Sequence, residues 1–137
     1  MASILIDTGA IFAYMARDDE FHAGAVQFVK QAFERKDRFL LLDLVFAETM
    51  TLLKARLGSQ SAAIMGAELR HNSSFTRLAL DAEAEEETWR IFRRYQDKEW
   101  SYVDCAILAV SLRLGVREVF TFDRHFAQMP GVICLPA

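Results

Sequence analysis

Four acidic residues stand far apart in the chain, each where a strand or an apolar helix would bring its carboxylate inward: Asp7, Glu48, Asp104 and Asp123. Two of them end apolar runs, and two lie inside segments with helical apolar spacing. If these elements form one parallel α/β sheet, all four carboxylates can meet at one edge. Clustered carboxylates repel one another, and burial raises that cost. A divalent cation relieves the repulsion, and hard cations prefer oxygen ligands. The acids therefore indicate a metal-dependent phosphoryl-transfer site.

Glu48 is the acid that is hardest to explain as a structural residue. Leu44 precedes it by four residues and Leu52 follows it by four, a spacing that predicts a place on the apolar stripe facing the sheet. A buried glutamate without a basic neighbour in sequence is costly. Asp104 shows the same pattern, because apolar residues follow it at the third and fourth positions.

The other acids have a simpler alternative role as helix caps. Asp7 and Asp123 each precede a predicted helix, and aspartate is among the favoured N-cap residues. Ser101 and Asp104 match the S-x-x-D pattern of a capping box. The two roles are compatible, since one carboxylate oxygen can cap while the other binds metal. A shared metal site accounts for all four positions together.

The elements that would position these acids alternate between helix and strand patterns, which predicts an α/β fold with a mainly parallel sheet. Strands are predicted at residues 3–6, 39–42, 75–80, 117–122 and 132–135. Helices are predicted after residue 7, from about 18–20, at 43–57, at 59–71, after 81, from 101 to Gly115, and at 124–128. Asp43, Ser59 and Asp81 are predicted N-caps. Ligands of open α/β sheets bind beyond the carboxyl ends of the strands, where Asp7 and Asp123 stand.

Composition limits the classes of protein that the chain can belong to. Its 137 residues are 53% apolar, which suits a single domain with a real core. No apolar run approaches the roughly 18 residues of a membrane helix, and the N-terminus does not resemble a signal peptide. Cys105 and Cys134 are isolated, so a reducing cytoplasmic location is expected. The net charge of −3 is not typical of an obligate nucleic-acid binder, but without the four acids the rest of the chain is about neutral.

Other kinds of catalytic site find little support in the sequence. The three histidines, His22, His71 and His125, lack paired metal-ligand spacing and are predicted to be surface or local structural residues. Nothing indicates zinc, a Ser-His-Asp triad or a P-loop. A phosphatase of the haloacid-dehalogenase type would need a second aspartate two residues after Asp7, and that position is Gly9.

Four segments of the chain, in the same order and spacing, resemble those of the PIN domain family. They are Ile-Asp-Thr-Gly-Ala at 6–10, Ala-Glu at 47–48, Trp-Ser-Tyr-Val-Asp-Cys-Ala-Ile at 100–107 and Thr-Phe-Asp-Arg-His-Phe at 121–126. The resemblance covers nearly the whole chain. It implies a single PIN-like nuclease domain over residues 1–137. The implied fold is a three-layer α/β/α sandwich with a five-stranded parallel sheet of order 3-2-1-4-5.

The resemblance also implies an activity, namely a Mg²⁺- or Mn²⁺-dependent ribonuclease that hydrolyses RNA. Asp7 and Asp104 would be the principal metal ligands, and Glu48 and Asp123 would complete the catalytic cluster. One family position departs mildly, because Gly9 stands where serine is common. Hydroxyl residues also flank the acids at family positions, and capping is their favoured role: Thr8, Ser101 and Thr121.

Compact PIN proteins of this length most resemble the toxin halves of VapBC toxin–antitoxin modules. That resemblance implies a homodimer whose acidic groove is blocked by a small antitoxin protein, with RNA as substrate and no membrane association. Two alternatives stay open. One is a PIN nuclease that processes RNA without being a toxin. The other is a non-catalytic RNA-binding PIN module, which would lack one or more of the acids, whereas all four are present here.

A basic cluster offers a candidate surface for RNA. Arg90, Arg93 and Arg94 fall on or near one face of a helix that also carries Trp89 and Phe92. The simpler interpretation is a solvated outer face with the two aromatic residues on the inner face. The alternative hypothesis is that the three arginines contact phosphates flanking the cleaved bond.

Overall fold

The computed structural model describes residues 1–137, and its sheet is built from five short strands. The strands are β1 (Ser3–Ile6), β2 (Arg38–Leu42), β3 (Phe75–Leu78), β4 (Glu118–Phe120) and β5 (Ile133–Leu135). The helices are α1 (Thr8–Met15), α2 (His22–Glu34), α3 (Asp43–Leu57), α4 (Ser59–His71), α5 (Ala82–Arg94) and α6 (Tyr102–Leu114), followed by a short 3₁₀ helix (Arg124–Gln128).

The strands hydrogen-bond in the order β3-β2-β1-β4-β5, and every pairing is parallel. Leu5 of the central strand pairs with Leu40 on one side and Val119 on the other. This confirms the predicted fold class and strand order. β3 and β4 are each shorter than predicted, since β3 ends at Leu78 and β4 covers only residues 118–120. The carboxyl end of β1 therefore lies at the middle of the sheet edge.

The core around the sheet is rich in phenylalanine. Phe39 of β2 has no exposed surface and lies at the centre of this cluster. Its ring centroid is 5.4 Å from that of Phe75, 5.9 Å from Phe120, 6.3 Å from Phe33 and 6.4 Å from Phe28. Such tilted and stacked pairs add stability beyond the burial of area. The cluster joins three strands to α2, so the strand ends that carry the site are held by a rigid core.

Two of the predicted N-caps are wrong by one residue. Asp43 is the first residue of α3, after Leu42, and makes no capping hydrogen bond. Ser59 likewise begins α4, where Gly58 occupies the junction between the two helices. Gly58 has φ +93°, a conformation that a residue with a side chain rarely adopts. The chain therefore passes from α3 into α4 through this glycine and needs no serine cap.

The predicted start of α2 is also too early. The acidic residues at 18–20 form a turn before the helix, and Asp19 accepts the N–H of Phe21 at 3.0 Å. Val26, whose apolar side chain and helical spacing from Val29 would suggest a place on the inner face, is exposed, because the buried face consists of Ala25, Phe28, Val29 and Ala32. No helix in the structure is both long enough and apolar enough to span a membrane.

The caps of α5 and α6 agree with the predictions from the sequence. Asp81 caps α5 by accepting the N–H of Ala84 at 2.8 Å. Ser101 and Asp104 form the predicted capping box at the start of α6. Gly115 ends α6 with φ +67°. The two helices pack against each other, and Arg113 of α6 pairs with the carboxylate of Asp81. This ion pair joins the C-terminal end of α6 to the start of α5.

Candidate active site

The four acids predicted to cluster all line one open cavity of about 490 Å³. Asp7 comes from the end of β1, Glu48 from α3, Asp104 from α6 and Asp123 from the segment after β4. No lysine or arginine lines this cavity. A larger cavity of about 570 Å³ lies between α5 and α6. Its acidic residues are accompanied by two arginines: Glu83, Glu86 and Glu87, with Arg90 and Arg113. Of these two cavities, the smaller one is therefore lined by carboxylates without a lysine or arginine.

Asp7 is the most deeply buried of the acids, with 5% of its surface exposed. Its Oδ1 accepts the N–H of Ala10 at 2.7 Å, which caps α1, and its Oδ2 accepts the hydroxyl of Thr121 at 2.5 Å. Burial raises the pKa of Asp7 to about 7, although both hydrogen bonds oppose the rise. The charges of Asp104 and Asp123 raise it further. A carboxylate in this state is stabilised by any cation that enters the cavity.

Asp104 is half-buried at the start of α6. Its Oδ2 accepts the N–H of Ser101 at 2.9 Å, and its own N–H donates to the Ser101 hydroxyl at 3.0 Å. Burial raises the pKa of Asp104, and the charges of Asp123 and Glu48 act in the same direction. The capping box uses Oδ2 of Asp104 and leaves the second carboxylate oxygen without a hydrogen bond from the protein. One carboxylate oxygen thus caps the helix, and ligation of a cation by the other stays a prediction.

Thr121 connects two of the acids from behind the cavity. Its buried hydroxyl donates to Asp7 and accepts the N–H of Asp123 at 2.9 Å. It does not cap a helix, so the capping role that the sequence favoured for Thr121 is wrong. Asp123 itself caps the 3₁₀ helix, because its Oδ1 accepts the N–H of His125 at 2.9 Å. Ser101 does cap α6, as expected.

Glu48 lines the cavity but is exposed, so its predicted place on the buried stripe is wrong. The buried stripe of α3 consists of Val45, Thr49 and Leu53, one position further round the helix. Leu52, the apolar neighbour from which burial was inferred, is itself only half-buried and lines the cavity. The carboxylate of Glu48 therefore stands at the mouth, where water solvates it and no basic partner is needed.

Three helices begin at this cavity, those capped by Asp7, by Ser101 with Asp104, and by Asp123. Each of the three aspartates accepts one backbone N–H at a helix start. Helix N-termini carry partial positive charge and favour nearby anions. This arrangement offsets part of the repulsion among the carboxylates and holds each of them in one orientation.

Two residues that the sequence analysis did not assign to the site also line the cavity, His125 and Glu99. His125 Nδ1 lies 3.3 Å from Asp123 Oδ1, and His125 Nε2 lies 3.6 Å from Glu99 Oε2. The prediction that His125 is merely a surface or local structural residue therefore missed its place in the cavity. In the sequence, only the position of His125 two residues after Asp123 could have indicated this place. Glu99 and Asp104 are distant in sequence and come near His125 only in the folded chain.

The donor atoms of the cavity suit a hard divalent cation. Carboxylate oxygens predominate, and Mg²⁺ and Mn²⁺ prefer such ligands. Thr8 adds an independent sign, because this residue lines the cavity and its buried hydroxyl has no hydrogen-bond partner. The hydroxyl therefore caps no helix, and the capping role that the sequence favoured for Thr8 is wrong. Buried hydroxyls are almost always partnered. Gly9 is compatible with the site, since a Cβ there would stand 3.8 Å from Asp7 Oδ1, an ordinary contact. The residues present therefore fit a cation.

The basic cluster lies away from this cavity. All three arginines are exposed, and none of them lines it: Arg90, Arg93 and Arg94. Trp89 and Phe92 are not on an inner face, because 49% and 40% of their surfaces are exposed. The two rings stack with centroids 6.1 Å apart, and Phe92 also contacts Tyr102 at 5.6 Å. The helix thus presents aromatic and basic side chains together to the solvent.

Thr121→Val is expected to lower the free energy of unfolding by about 1–3 kcal/mol, because it leaves a buried Asp7 oxygen and the Asp123 N–H without their partner. Urea unfolding at pH 8 measures this loss. Thr51→Val is the matched control, since Thr51 also donates through its hydroxyl, to Ala47 O at 3.1 Å, but on an exposed helix face. Equal losses in the two variants would contradict a special role for the Thr121 bridge.

Comparison with known proteins relates the chain to one domain family and to several solved structures. A model of the PIN domain matches residues 4–132. The 23S rRNA-specific endonuclease VapC20 of Mycobacterium tuberculosis is 32% identical over 83 residues, which are 61% of this chain and 63% of that protein. The aligned segment thus spans less than two thirds of that relative's length. Ribonuclease VapC26 of the same organism is 28% identical over 128 residues, 92% of this chain and 91% of that protein.

Solved structures share the whole architecture. The crystal structure of Mycobacterium tuberculosis VapC20, described as a Sarcin-Ricin loop cleaving toxin, superposes with a TM-score of 0.80 at 27% identity. The superposition covers 94% of this chain and 98% of that one. A toxin–antitoxin complex from Klebsiella pneumoniae superposes with a TM-score of 0.60 at 21% identity, covering 95% of both chains. At that identity the second likeness concerns the fold alone.

Proposed function

Because the chain belongs to the PIN domain family, we propose that it is a metal-dependent endoribonuclease that hydrolyses phosphodiester bonds of RNA. The observation that carries this proposal is the convergence of Asp7, Glu48, Asp104 and Asp123 on one cavity without a lysine or arginine. Mg²⁺ or Mn²⁺ is the cofactor that such ligands favour. The likeness to VapC20 and VapC26, which are named as an endonuclease and a ribonuclease, supports the same activity.

The proposed mechanism divides the work among the acids by their burial. Asp7 and Asp104, whose pKa values are raised, are the principal ligands, because they gain most from a neighbouring positive charge. When bound, the cation polarises the scissile phosphate and lowers the pKa of the attacking water. Glu48 and Asp123, at the exposed mouth, complete the cluster and orient that water or a second ion. The Thr121 hydroxyl fixes the Asp7 carboxylate and the Asp123 backbone relative to each other on the buried side of the cavity.

The first test is cleavage of RNA by the purified protein in Mg²⁺, in Mn²⁺ and in EDTA, with products mapped by sequencing of their 5′ ends. Ribosomes and total RNA are suitable substrates, because VapC20 is named for 23S rRNA. We expect cutting that depends on the cation and disappears in the double variant Asp7→Asn/Asp104→Asn. Equal cutting in EDTA, or by the double variant, would contradict the proposal, and so would intact RNA with folded protein in both cations.

We further propose that the protein is the toxin of a VapBC-like module. The resemblance to the two VapC proteins and the fold shared with VapC20, whose structure is described as that of a toxin, support this role. A homodimer and a small antitoxin covering the acidic cavity complete the proposal. Induced expression is then expected to arrest growth, and co-expression of a small neighbouring reading frame to restore it. Unimpeded growth with active nuclease would favour the alternative, a PIN enzyme of RNA processing.

The basic cluster on α5 is proposed as a contact for the RNA backbone, and it is tested in the Asp7→Asn/Asp104→Asn background so that RNA stays intact. Replacing the three arginines with alanine is expected to weaken RNA binding. The log–log salt slope should fall by about 2, if each arginine contacts one phosphate of single-stranded RNA. The residues changed are Arg90, Arg93 and Arg94.

The control for the arginine variant is Arg17→Ala/Arg70→Ala, which removes exposed arginines elsewhere on the surface. It should alter the RNA dissociation constant and its salt dependence much less. If the α5 variant leaves both quantities unchanged, the cluster is a solvated face and makes no contact with RNA. Fluorescence anisotropy over a series of salt concentrations distinguishes the two results.

A further inference from the structure

We propose that His125 is a metal ligand, and that with Asp104 and Asp123 it forms a mixed nitrogen and oxygen subsite that binds Mn²⁺ in preference to Mg²⁺. This assignment rests on the proposed metal-dependent activity, and it adds His125 to the four acids as a ligand. One ligand atom from each of the three residues lies within 4.8 Å of the other two. Together they form a compact group at the mouth of the cavity.

The spacing of these atoms suits a single ion after small side-chain adjustments. Ligand bonds in such sites are about 2.0–2.2 Å long, so ligands on opposite sides of an ion are about 4.2 Å apart. Asp123 and His125 are partly exposed, with 42% and 34% of their side-chain surfaces accessible, and they have room to close that difference. The unpartnered hydroxyl of Thr8 in the same cavity is a separate sign that the cavity takes a ligand.

The orientation of the imidazole favours ligation. Nδ1 lies 3.3 Å from Asp123 Oδ1, while the other ring nitrogen, Nε2, lies 3.6 Å from Glu99 Oε2. Metal-binding histidines commonly donate their second ring N–H to a carboxylate, which fixes the tautomer and turns the other nitrogen toward the ion. Glu99 is in position to be this partner.

The chemistry of imidazole determines the selectivity. Mg²⁺ keeps its water and oxygen ligands and accepts nitrogen reluctantly, whereas transition metals bind imidazole readily. A site of carboxylates alone would discriminate little between Mg²⁺ and Mn²⁺. A histidine in the ligand set should therefore raise affinity for Mn²⁺ and leave affinity for Mg²⁺ almost unchanged.

A purely structural role for His125 makes a different prediction. If the ring only pairs with Asp123 and Glu99, its removal should change stability slightly and affect both cations equally. Surface ion pairs of this kind contribute little to the free energy of unfolding. The ratio of the Mn²⁺ and Mg²⁺ affinities separates the two roles, and so does the spectroscopic signature of a nitrogen bonded to Mn²⁺.

The test uses the full chain at pH 8, the variant His125→Asn and the control His71→Asn, whose histidine is exposed at the end of α4. Pulsed electron paramagnetic resonance of the Mn²⁺-loaded protein detects a directly bound ¹⁴N nucleus, and calorimetry measures the affinities for Mn²⁺ and Mg²⁺. We expect the ¹⁴N signal in the wild type and in the control, and its loss in His125→Asn. The Mn²⁺ affinity of that variant should fall about tenfold or more, with Mg²⁺ affinity within about twofold of the wild type.

The possible failures are distinguishable. A wild type that binds Mn²⁺ without a ¹⁴N signal, or a His125→Asn variant with unchanged Mn²⁺ affinity, overturns the assignment of His125. If Asp104→Asn still abolishes Mn²⁺ binding in that case, the carboxylate site and the proposed nuclease stand. If the wild type binds neither cation, the metal premise of both proposals is wrong.

Discussion

Asp7→Asn is expected to abolish RNA cleavage and at the same time to stabilise the metal-free protein at pH 8. Cleavage should fall by at least about 10²–10³-fold, as when other groups that stabilise transition-state charge are removed. The stability gain follows from burial, which raises the pKa of Asp7 to about 7 and makes its charged form unfavourable at pH 8. An amide of the same shape carries no charge, so the folded state no longer bears that cost.

The size of the stability gain is limited by the hydrogen bonds that Asp7 makes. In the Asp7→Asn variant the side-chain amide oxygen can still accept the Ala10 N–H, but the charge-assisted bond from Thr121 is lost. We expect a net gain of about 2 kcal/mol, or about 7 °C in Tm for a chain of this length. Thermal unfolding in EDTA measures it, and at pH 5, where Asp7 already holds its proton, the gain should largely disappear.

Asp81→Asn is the matched control for this prediction. Asp81 caps α5 by accepting the Ala84 N–H at 2.8 Å, just as Asp7 accepts the Ala10 N–H at 2.7 Å. It lies outside the acidic cavity and is exposed. The control should keep full nuclease activity and gain no stability. A destabilised Asp7→Asn protein, or one that still cuts RNA normally, would show that Asp7 is a structural cap and no more.

The second large effect is a pH-dependent stabilisation by divalent cations. The ordinary pKa of an aspartate is 3.8, which applies to the unfolded chain, whereas folding raises the pKa of Asp7 to about 7. Between these values the folded protein holds one proton more than the unfolded chain. Stability of the metal-free protein therefore falls as pH rises from about 4 to 7, by up to about 4 kcal/mol from this residue. The raised pKa of Asp104 acts in the same direction.

A bound cation should remove this loss, because it favours the deprotonated carboxylates. The rise in Tm from EDTA to excess Mn²⁺ is thus expected to be much larger at pH 8 than at pH 5. Asp37 should show the opposite dependence of stability on pH. Burial acts to raise the pKa of Asp37, but hydrogen bonds from the Ala2 N–H and the Arg35 side chain outweigh it and lower that pKa. Subtracting the Asp7→Asn curve isolates the contribution of Asp7. An equal Mn²⁺ effect at both pH values would contradict the raised pKa.

The sequence was sufficient for the alternation of helices and strands and for most of the acidic cluster, because these depend on local signals, whereas the strand order followed from the resemblance to the PIN family. Asp7 follows a strand of four residues directly, and the Ser101–Asp104 capping box lies within one helical turn. The PIN family model then extends over residues 4–132 and supports the same architecture. Such features need no knowledge of distant contacts, since parallel strand ends must meet at one edge.

The errors concern orientation about helix axes and contacts between distant segments. Successive residues on a helix differ by about 100°, so the periodicity of α3 could not separate a buried Glu48 from one at the rim. The same limit misplaced Trp89 and Phe92, because α5 buries Ala84, Thr88 and Ile91 instead. The bond from Thr121 to Asp7 spans 114 residues and has no signature in sequence.

The backbone anchors of the three aspartates have a consequence for the thermodynamics of cation binding. Ala10, Ser101 and His125 donate N–H groups that fix the rotamers of Asp7, Asp104 and Asp123 before any ion binds. Immobilising a flexible side chain upon binding otherwise costs about 0.5–1.5 kcal/mol for each residue. Here much of that entropy is lost during folding, so an arriving ion meets carboxylates already held near their bound orientations, and only small side-chain adjustments remain. Association should be correspondingly rapid and accompanied by little rearrangement of the polypeptide.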